Sequence, residues 1–300
     1  MPAMTKKTVS LVLGSGGARG LAHIGIIHWL EENGYVIRSI SGCSIGALVG
    51  GMYACGKLDV FDEWVRAISK FHIVKLLDLS WGKQGLVEGE RIFTALKELV
   101  GDCQIEDLPI EYTAVAADIE REREVWLKRG SLFDAIRAST ALPLFFTPFE
   151  INGIKLLDGG ILNPVPIAPT FEDPTDLTIA VNLGAPPSTE TPTTIHAEPK
   201  AADNPPVDGL QAKMNSFIED LKRRLPSDDG SWQMLGIADS TFDAMQGTIA
   251  RLKLAAYPPD QTIMIARNAC GTLEFDRADE MIALGYETAA ATITPYPPKV

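Results

Sequence analysis

Short, almost wholly apolar runs alternate along this chain with longer stretches whose apolar residues recur every three or four positions. Val9–Leu13 stops at Gly14, and Tyr112–Asp118 and Leu177–Leu183 have the same character; each predicts a strand buried on both faces. Further strands are predicted over Val36–Ser41, Glu124–Lys128, Ile154–Leu157 and Gln261–Arg267. Leu21, Ile24, Ile27 and Leu30 fall at helical spacing, and Asn33-Gly34 closes that helix. Helices are also predicted over Ile45–Cys55, Leu58–Phe71, Gly89–Val100, Leu132–Ser139, Ser240–Ala255 and Arg277–Ala291, with Leu76–Val87 irregular. Strands and helices in alternation predict an α/β fold. The expected architecture is a three-layer α/β/α sandwich around a mostly parallel sheet.

The pattern breaks at Ala185–Gly209, which is rich in Pro, Thr, Ala and acids and poor in large apolar residues. A mobile insertion over 185–209 is expected. Leu210, Met214, Phe217, Ile218, Leu221 and Leu225 then form an apolar helical stripe, with Lys213, Lys222, Arg223 and Arg224 elsewhere on the turn. Two readings stand: a helix packed on the domain edge, or a lid or membrane-touching helix. There is no internal repeat. A single domain over 1–300 is expected, with its core over about 9–183 and a C-terminal helical and strand part over 210–300.

Composition narrows the function. A net charge of −12 argues against nucleic-acid binding, which needs a basic face. No apolar run reaches the roughly 20 residues of a membrane span. Lys6 and Lys7 precede an apolar stretch, but that stretch enters a glycine loop without a cleavage site, so it reads as a strand. A cytoplasmic location follows as an expectation, with peripheral membrane contact left open. The cysteines (Cys43, Cys55, Cys103, Cys270) include no Cys-x-x-Cys pair, and reduced thiols are expected. The histidines (His23, His28, His72, His196) show no His-Glu-x-x-His spacing, and neither a metal nor another cofactor is expected.

The chemistry concentrates at Gly42-Cys43-Ser44-Ile45-Gly46. A Gly-x-Ser-x-Gly between a strand and a small-residue helix predicts a nucleophile elbow, a strained turn that exposes the Ser44 hydroxyl. A serine needs a base to accept its proton as it attacks. The only histidine after Asp158 is His196, which lies in the expected insertion. Asp158, at a strand end and followed by Gly159-Gly160, is the better candidate base. Upstream, Gly14-Ser15-Gly16-Gly17-Ala18-Arg19-Gly20 fits neither a dinucleotide loop nor a phosphate loop, because Arg19 stands where a third glycine would and no Gly-Lys-Ser/Thr follows. It suits an oxyanion hole, with donors expected from the N–H groups of Gly16, Gly17, Ala18 and Ile45 and with Arg19 bracing the loop. Cys43 and His23 are expected to pack, and Asp118 to bond its own loop. Leu142, Leu144, Phe145 and Phe146 are candidates for an acyl groove, with Trp81 or Trp232 at its flank.

These motifs resemble the patatin-like phospholipase family. Gly16–Gly20 is similar to its oxyanion motif, Gly42–Gly46 to its serine motif and Asp158-Gly159-Gly160 to its aspartate motif. Ala138-Ser139-Thr140-Ala141-Leu142-Pro143 is similar to the block between the last two, and the likeness runs over about Val9–Leu183. One departure is Ser15, where the family often has glycine, and an unusual backbone angle is expected there. The resemblance implies a metal-independent Ser44–Asp158 dyad that hydrolyses acyl esters of lipids. A soluble carboxylesterase or thioesterase, and a catalytically idle lipid-binding module, stay open as alternatives.

Overall fold

The computed structural model describes residues 6–67, 90–143, 146–188 and 229–296. The expectations for Leu76–Val87, the stripe over 210–225, most of 185–209, and the side chains of Trp81, Leu144, Phe145 and Trp232 lie outside the described residues. The chain forms two compact units. One comprises Met1–Glu190 with Phe242–Val300, and the other Thr191–Thr241.

Among the described residues eight strands form one sheet: β1 (Lys7–Leu13), β2 (Tyr35–Cys43), β3 (Glu111–Asp118), β4 (Arg123–Leu127), β5 (Phe149–Ile151), β6 (Ile154–Asp158), β7 (Leu177–Ala185) and β8 (Gln261–Ala266). The order is β5-β6-β3-β2-β1-β7-β8, with β4 also paired to β3. β8, β7, β1, β2 and β3 run parallel, and β4, β5 and β6 join antiparallel. The helices are α1 (Ala22–Glu32), α2 (Ile45–Ala54), α3 (Leu58–Ala67), α4 (Glu90–Val100), α5 (Leu132–Ser139), α6 (Asp229–Ala256) and α7 (Ala278–Thr292).

Both faces of the sheet are covered, as the apolar strands require. Val9, Leu11 and Leu13 of β1, with Ile179, Val181 and Leu183 of β7, join the main core with α1, α2 and α7. The residues between them, Val12 and Ala180, face Val165, Ile167 and Ala250 of α6. Period-two alternation thus separates two apolar layers. The fold is the mostly parallel α/β sandwich expected. β5 was not expected, and α6 begins earlier than the helix predicted at Ser240.

The register around β3 fixes the site. β2 pairs with β3 along Glu111–Val115, and β4 along Ala114–Asp118. Each strand has only two edges, and these two partners overlap at Ala114 and Val115, so they lie on opposite edges. β6 pairs at Ala116 and Ala117, where β4 occupies its own edge. β6 therefore enters the edge that β2 has just left. Cys43 lies opposite Val115 and Asp158 opposite Ala116, which are consecutive rungs of one ladder. Ser44, immediately after Cys43, meets Asp158 end on.

Candidate active site

Ser44 sits between β2 and α2 with φ 57° and ψ −127°, the strained backbone of the expected elbow. Its flanking glycines are needed sterically. A Cβ on Gly46 would stand 2.1 Å from the Leu13 carbonyl oxygen, and one on Gly42 2.5 Å from that of Gly46. The Ser44 N–H donates to Ser139 Oγ at 3.0 Å, and Ser139 Oγ donates to the Val115 carbonyl at 2.7 Å. Ser139 is fully buried at the end of α5. Its block was singled out in the sequence, but its bracing role had no signal there.

Asp158 is fully buried. Its Oδ1 accepts the Gly160 N–H at 2.7 Å, while Oδ2 has no completed hydrogen bond among the described residues. Burial raises its carboxyl to a pKa of about 7, and the nearby Ser44 hydroxyl and the Gly160 N–H act against that rise. The Asp-Gly-Gly turn is tight: a Cβ on Gly159 would lie 2.0 Å from the Val115 carbonyl oxygen.

The glycine loop leaves β1 and enters a 3-10 turn over Gly17–Leu21. Gly17 has φ +58°, and a Cβ there would meet the Thr272 carbonyl oxygen at 2.4 Å. The N–H groups of Gly16, Gly17 and Ile45 have no acceptor among the described residues. Ala18 departs from the expected donor set. Its N–H donates to the Thr272 carbonyl at 2.9 Å, so it is not available to an oxyanion. Ser15 also departs from expectation: it is absent from the positive-φ residues, and Gln246 Nε2 donates to its hydroxyl at 3.2 Å.

Arg19 is buried and bonds the loop from within. Nε donates to the Gly16 carbonyl at 3.0 Å, and Nη1 and Nη2 reach Asp243 at 3.2 and 2.8 Å. Nη1 also donates to the Arg267 carbonyl at 2.6 Å. His23 is fully buried with Nε2 2.9 Å from the Gly14 carbonyl oxygen. Burial lowers its pKa to about 4, so it is neutral and donates from Nε2. Cys43 is buried, and burial, with the charge of Asp158, holds its thiol well above the usual range. Asp118 accepts from the Arg121 N–H and from the Arg121 and Arg123 side chains.

An apolar cavity of about 140 Å³ opens beside Ser44 and Gly17. Leu48 of α2, Trp64 of α3, Phe93 of α4, Leu142 and Phe146 line it, with Thr272 and Leu273 on the far strand-to-helix connection. Leu142 and Phe146 were expected here, and Trp64 lines the cavity as well. Among the described residues no His, Cys, Asp or Glu cluster could hold a metal ion, and no helix is long and apolar enough to cross a membrane.

A half-buried serine on a strained elbow, a buried carboxylate and amides without an acceptor among the described residues stand beside an apolar cavity, an arrangement of the class of hydrolases acting on apolar acyl compounds. Residues 11–171 match the family model for patatin-like phospholipases. The chain belongs to the patatin-like phospholipase family, a family of lipid ester hydrolases. It is 38% identical to an uncharacterised NTE family protein of Mycobacterium tuberculosis, over 95% of this chain and 91% of that one. A lysophospholipase of Pyricularia oryzae is 29% identical over 94% of this chain, which spans only 18% of that longer protein. VipD from Legionella pneumophila shares the fold, with a TM-score of 0.56 and 16% identity over 96% of this chain and 67% of VipD.

Proposed function

We propose that this enzyme cleaves carboxylic esters of phospholipids or lysophospholipids through a Ser44–Asp158 dyad and an acyl-enzyme intermediate. The observation that carries the reading is the shared edge of β3, which brings the Ser44 elbow against a buried carboxylate with one oxygen unbonded among the described residues.

Ser44 Oγ attacks the ester carbonyl carbon as its proton passes to Asp158. A carboxylate with a pKa near 7 is a far better base at neutral pH than one near the ordinary 3.8. The carbonyl oxygen becomes an oxyanion and accepts from the N–H groups of Gly16, Gly17 and Ile45, which have no acceptor among the described residues. Collapse breaks the bond to the alcohol, which takes the proton back from Asp158. Water then attacks the acyl-enzyme with Asp158 again as base, and the fatty acid leaves. The apolar cavity would hold the acyl chain, with the charged head group outside. A peripheral membrane contact would bring the cavity to its substrate.

The test is labelling by a fluorophosphonate probe beside fatty-acid release from phosphatidylcholine and lysophosphatidylcholine vesicles. Labelling should vanish in Ser44→Ala and fall steeply in Asp158→Asn, with acid released by the native chain. Labelling without release from vesicles would favour a soluble esterase. An unlabelled native chain would sink the hydrolase reading in favour of an idle lipid-binding module.

A further inference from the structure

We infer that Asp243 of α6 is a positioning residue for the oxyanion hole, acting through Arg19 and the Gly16 carbonyl on the Gly17 amide. The inference rests on the hydrolase reading above. A peptide unit is planar and trans, so its C=O and N–H point in opposite directions. The Gly16 carbonyl and the Gly17 N–H belong to one such plane. Arg19 Nε holds that carbonyl at 3.0 Å, which turns the Gly17 N–H to the opposite side. Gly17 lines the cavity that contains Ser44. This amide has no acceptor among the described residues, and with glycine on both sides of the peptide its plane turns easily unless something grips it.

The grip originates outside the loop. Asp243 receives both terminal nitrogens of Arg19, at 2.8 and 3.2 Å, in the fork arrangement that fixes a guanidinium plane. Arg19 is 3% exposed, so its charge depends on this partner and on backbone carbonyls. Three residues further along α6, Gln246 donates to Ser15 Oγ. The spacing puts both on one helix face, and that face holds the loop on both sides of Gly16-Gly17. Asp243 thus orients a donor it never touches.

The experiment compares native protein with Asp243→Ala, Asp243→Asn, Arg19→Lys and Asp243→Ala/Arg19→Lys. Each is assayed for turnover of p-nitrophenyl butyrate, affinity for an alkyl trifluoromethyl ketone, affinity for the corresponding fatty acid, and thermal midpoint. The ketone forms an oxyanion adduct with serine, whereas the acid probes the cavity. For Asp243→Ala we expect kcat to fall about tenfold or more, as for a partly disabled oxyanion donor. KM should stay within about twofold, and ketone affinity should fall with kcat while fatty-acid affinity holds. The double variant should be little worse than Arg19→Lys alone, because both changes break one relay. Unchanged kcat in Asp243→Ala, or parallel loss of fatty-acid affinity and thermal midpoint, would overturn the positioning role. A native chain that neither turns over ester nor takes the fluorophosphonate overturns the hydrolase reading, and the inference with it.

Discussion

Ser139 Oγ bridges Ser44 and Val115, accepting the Ser44 backbone N–H at 3.0 Å and donating to the Val115 carbonyl at 2.7 Å. One hydroxyl therefore ties the strained elbow to the strand beside it. Ser139→Ala would leave a buried donor and acceptor without partners, at a cost of about 1–3 kcal/mol. We expect a thermal midpoint lowered by several degrees and fluorophosphonate labelling slowed on the order of tenfold. An equal labelling rate at 25 °C would show that the elbow holds without this bridge.

In the proposed dyad, Asp158 must be ionised to accept the serine proton. With its pKa near 7, kcat/KM should rise with slope one below that pH and level off above it. The measurement is a pH profile between 5 and 9 on a soluble ester. A flat profile across pH 6–8 would contradict a base titrating there.

The same shift makes ionised Asp158 a burden on the fold. The native state holds its proton more tightly than the unfolded chain between the ordinary 3.8 and about 7. Stability from this group is therefore full below pH 3.8 and declines as pH rises towards 7. Asp158→Asn should stabilise the inactive protein at pH 8 by up to about 4 kcal/mol, at roughly 1.4 kcal/mol per pKa unit. The gain should shrink towards zero near pH 4. Urea midpoints at pH 8 and pH 4.5 would measure it.

His23 has the opposite sign. Its native pKa of about 4 lies below the ordinary 6.5, so the unfolded chain binds more protons in that interval. Its contribution is full above pH 6.5 and is lost as pH falls towards 4. Across much of this range Asp158 and His23 offset each other. In the Asp158→Asn background the acid loss should stand alone, and His23→Gln should flatten it. Urea titrations of the two variants at pH 7 and 4.5 give the comparison.

The cavity predicts chain-length control. Leu48 and Leu142 both line it, and its volume is about 140 Å³. Leu48→Trp should fill the space beside Ser44, lowering kcat/KM on long acyl esters about tenfold while a short ester changes little. A uniform loss across acyl lengths would place the chain elsewhere.

Much of this molecule was readable from one sequence, and the exceptions share a cause. Strands such as Tyr112–Asp118 and helices such as Leu132–Ser139 announce themselves by local period, and both formed where expected. β5 has only Phe149-Glu150-Ile151, too short for alternation to register. The start of α6 at Asp229 crosses Gly230 and Gly236, residues that weaken helix and hide it. Ser44, Asp158 and the loop glycines were marked by motif. That Ala18 is bonded to Thr272 and Arg19 to Asp243 was not, because those partners lie more than 220 positions away along the chain. Ser15 fits without positive φ, and its hydroxyl gains Gln246 as a partner.

The edge of β3 also behaves as a zip with two tabs. Five register pairs hold β2 to it, whereas β6 is held by pairs at Ala116 and Ala117 alone. The proposed nucleophile thus rides on the firmly laced tab and the proposed base on the lightly laced one. Gentle warming would lift the short tab first, a partial opening that strands Ser44 without its proton acceptor while the parallel sheet stays intact. Activity would then fade ahead of the main melting transition, and cooling would restore it.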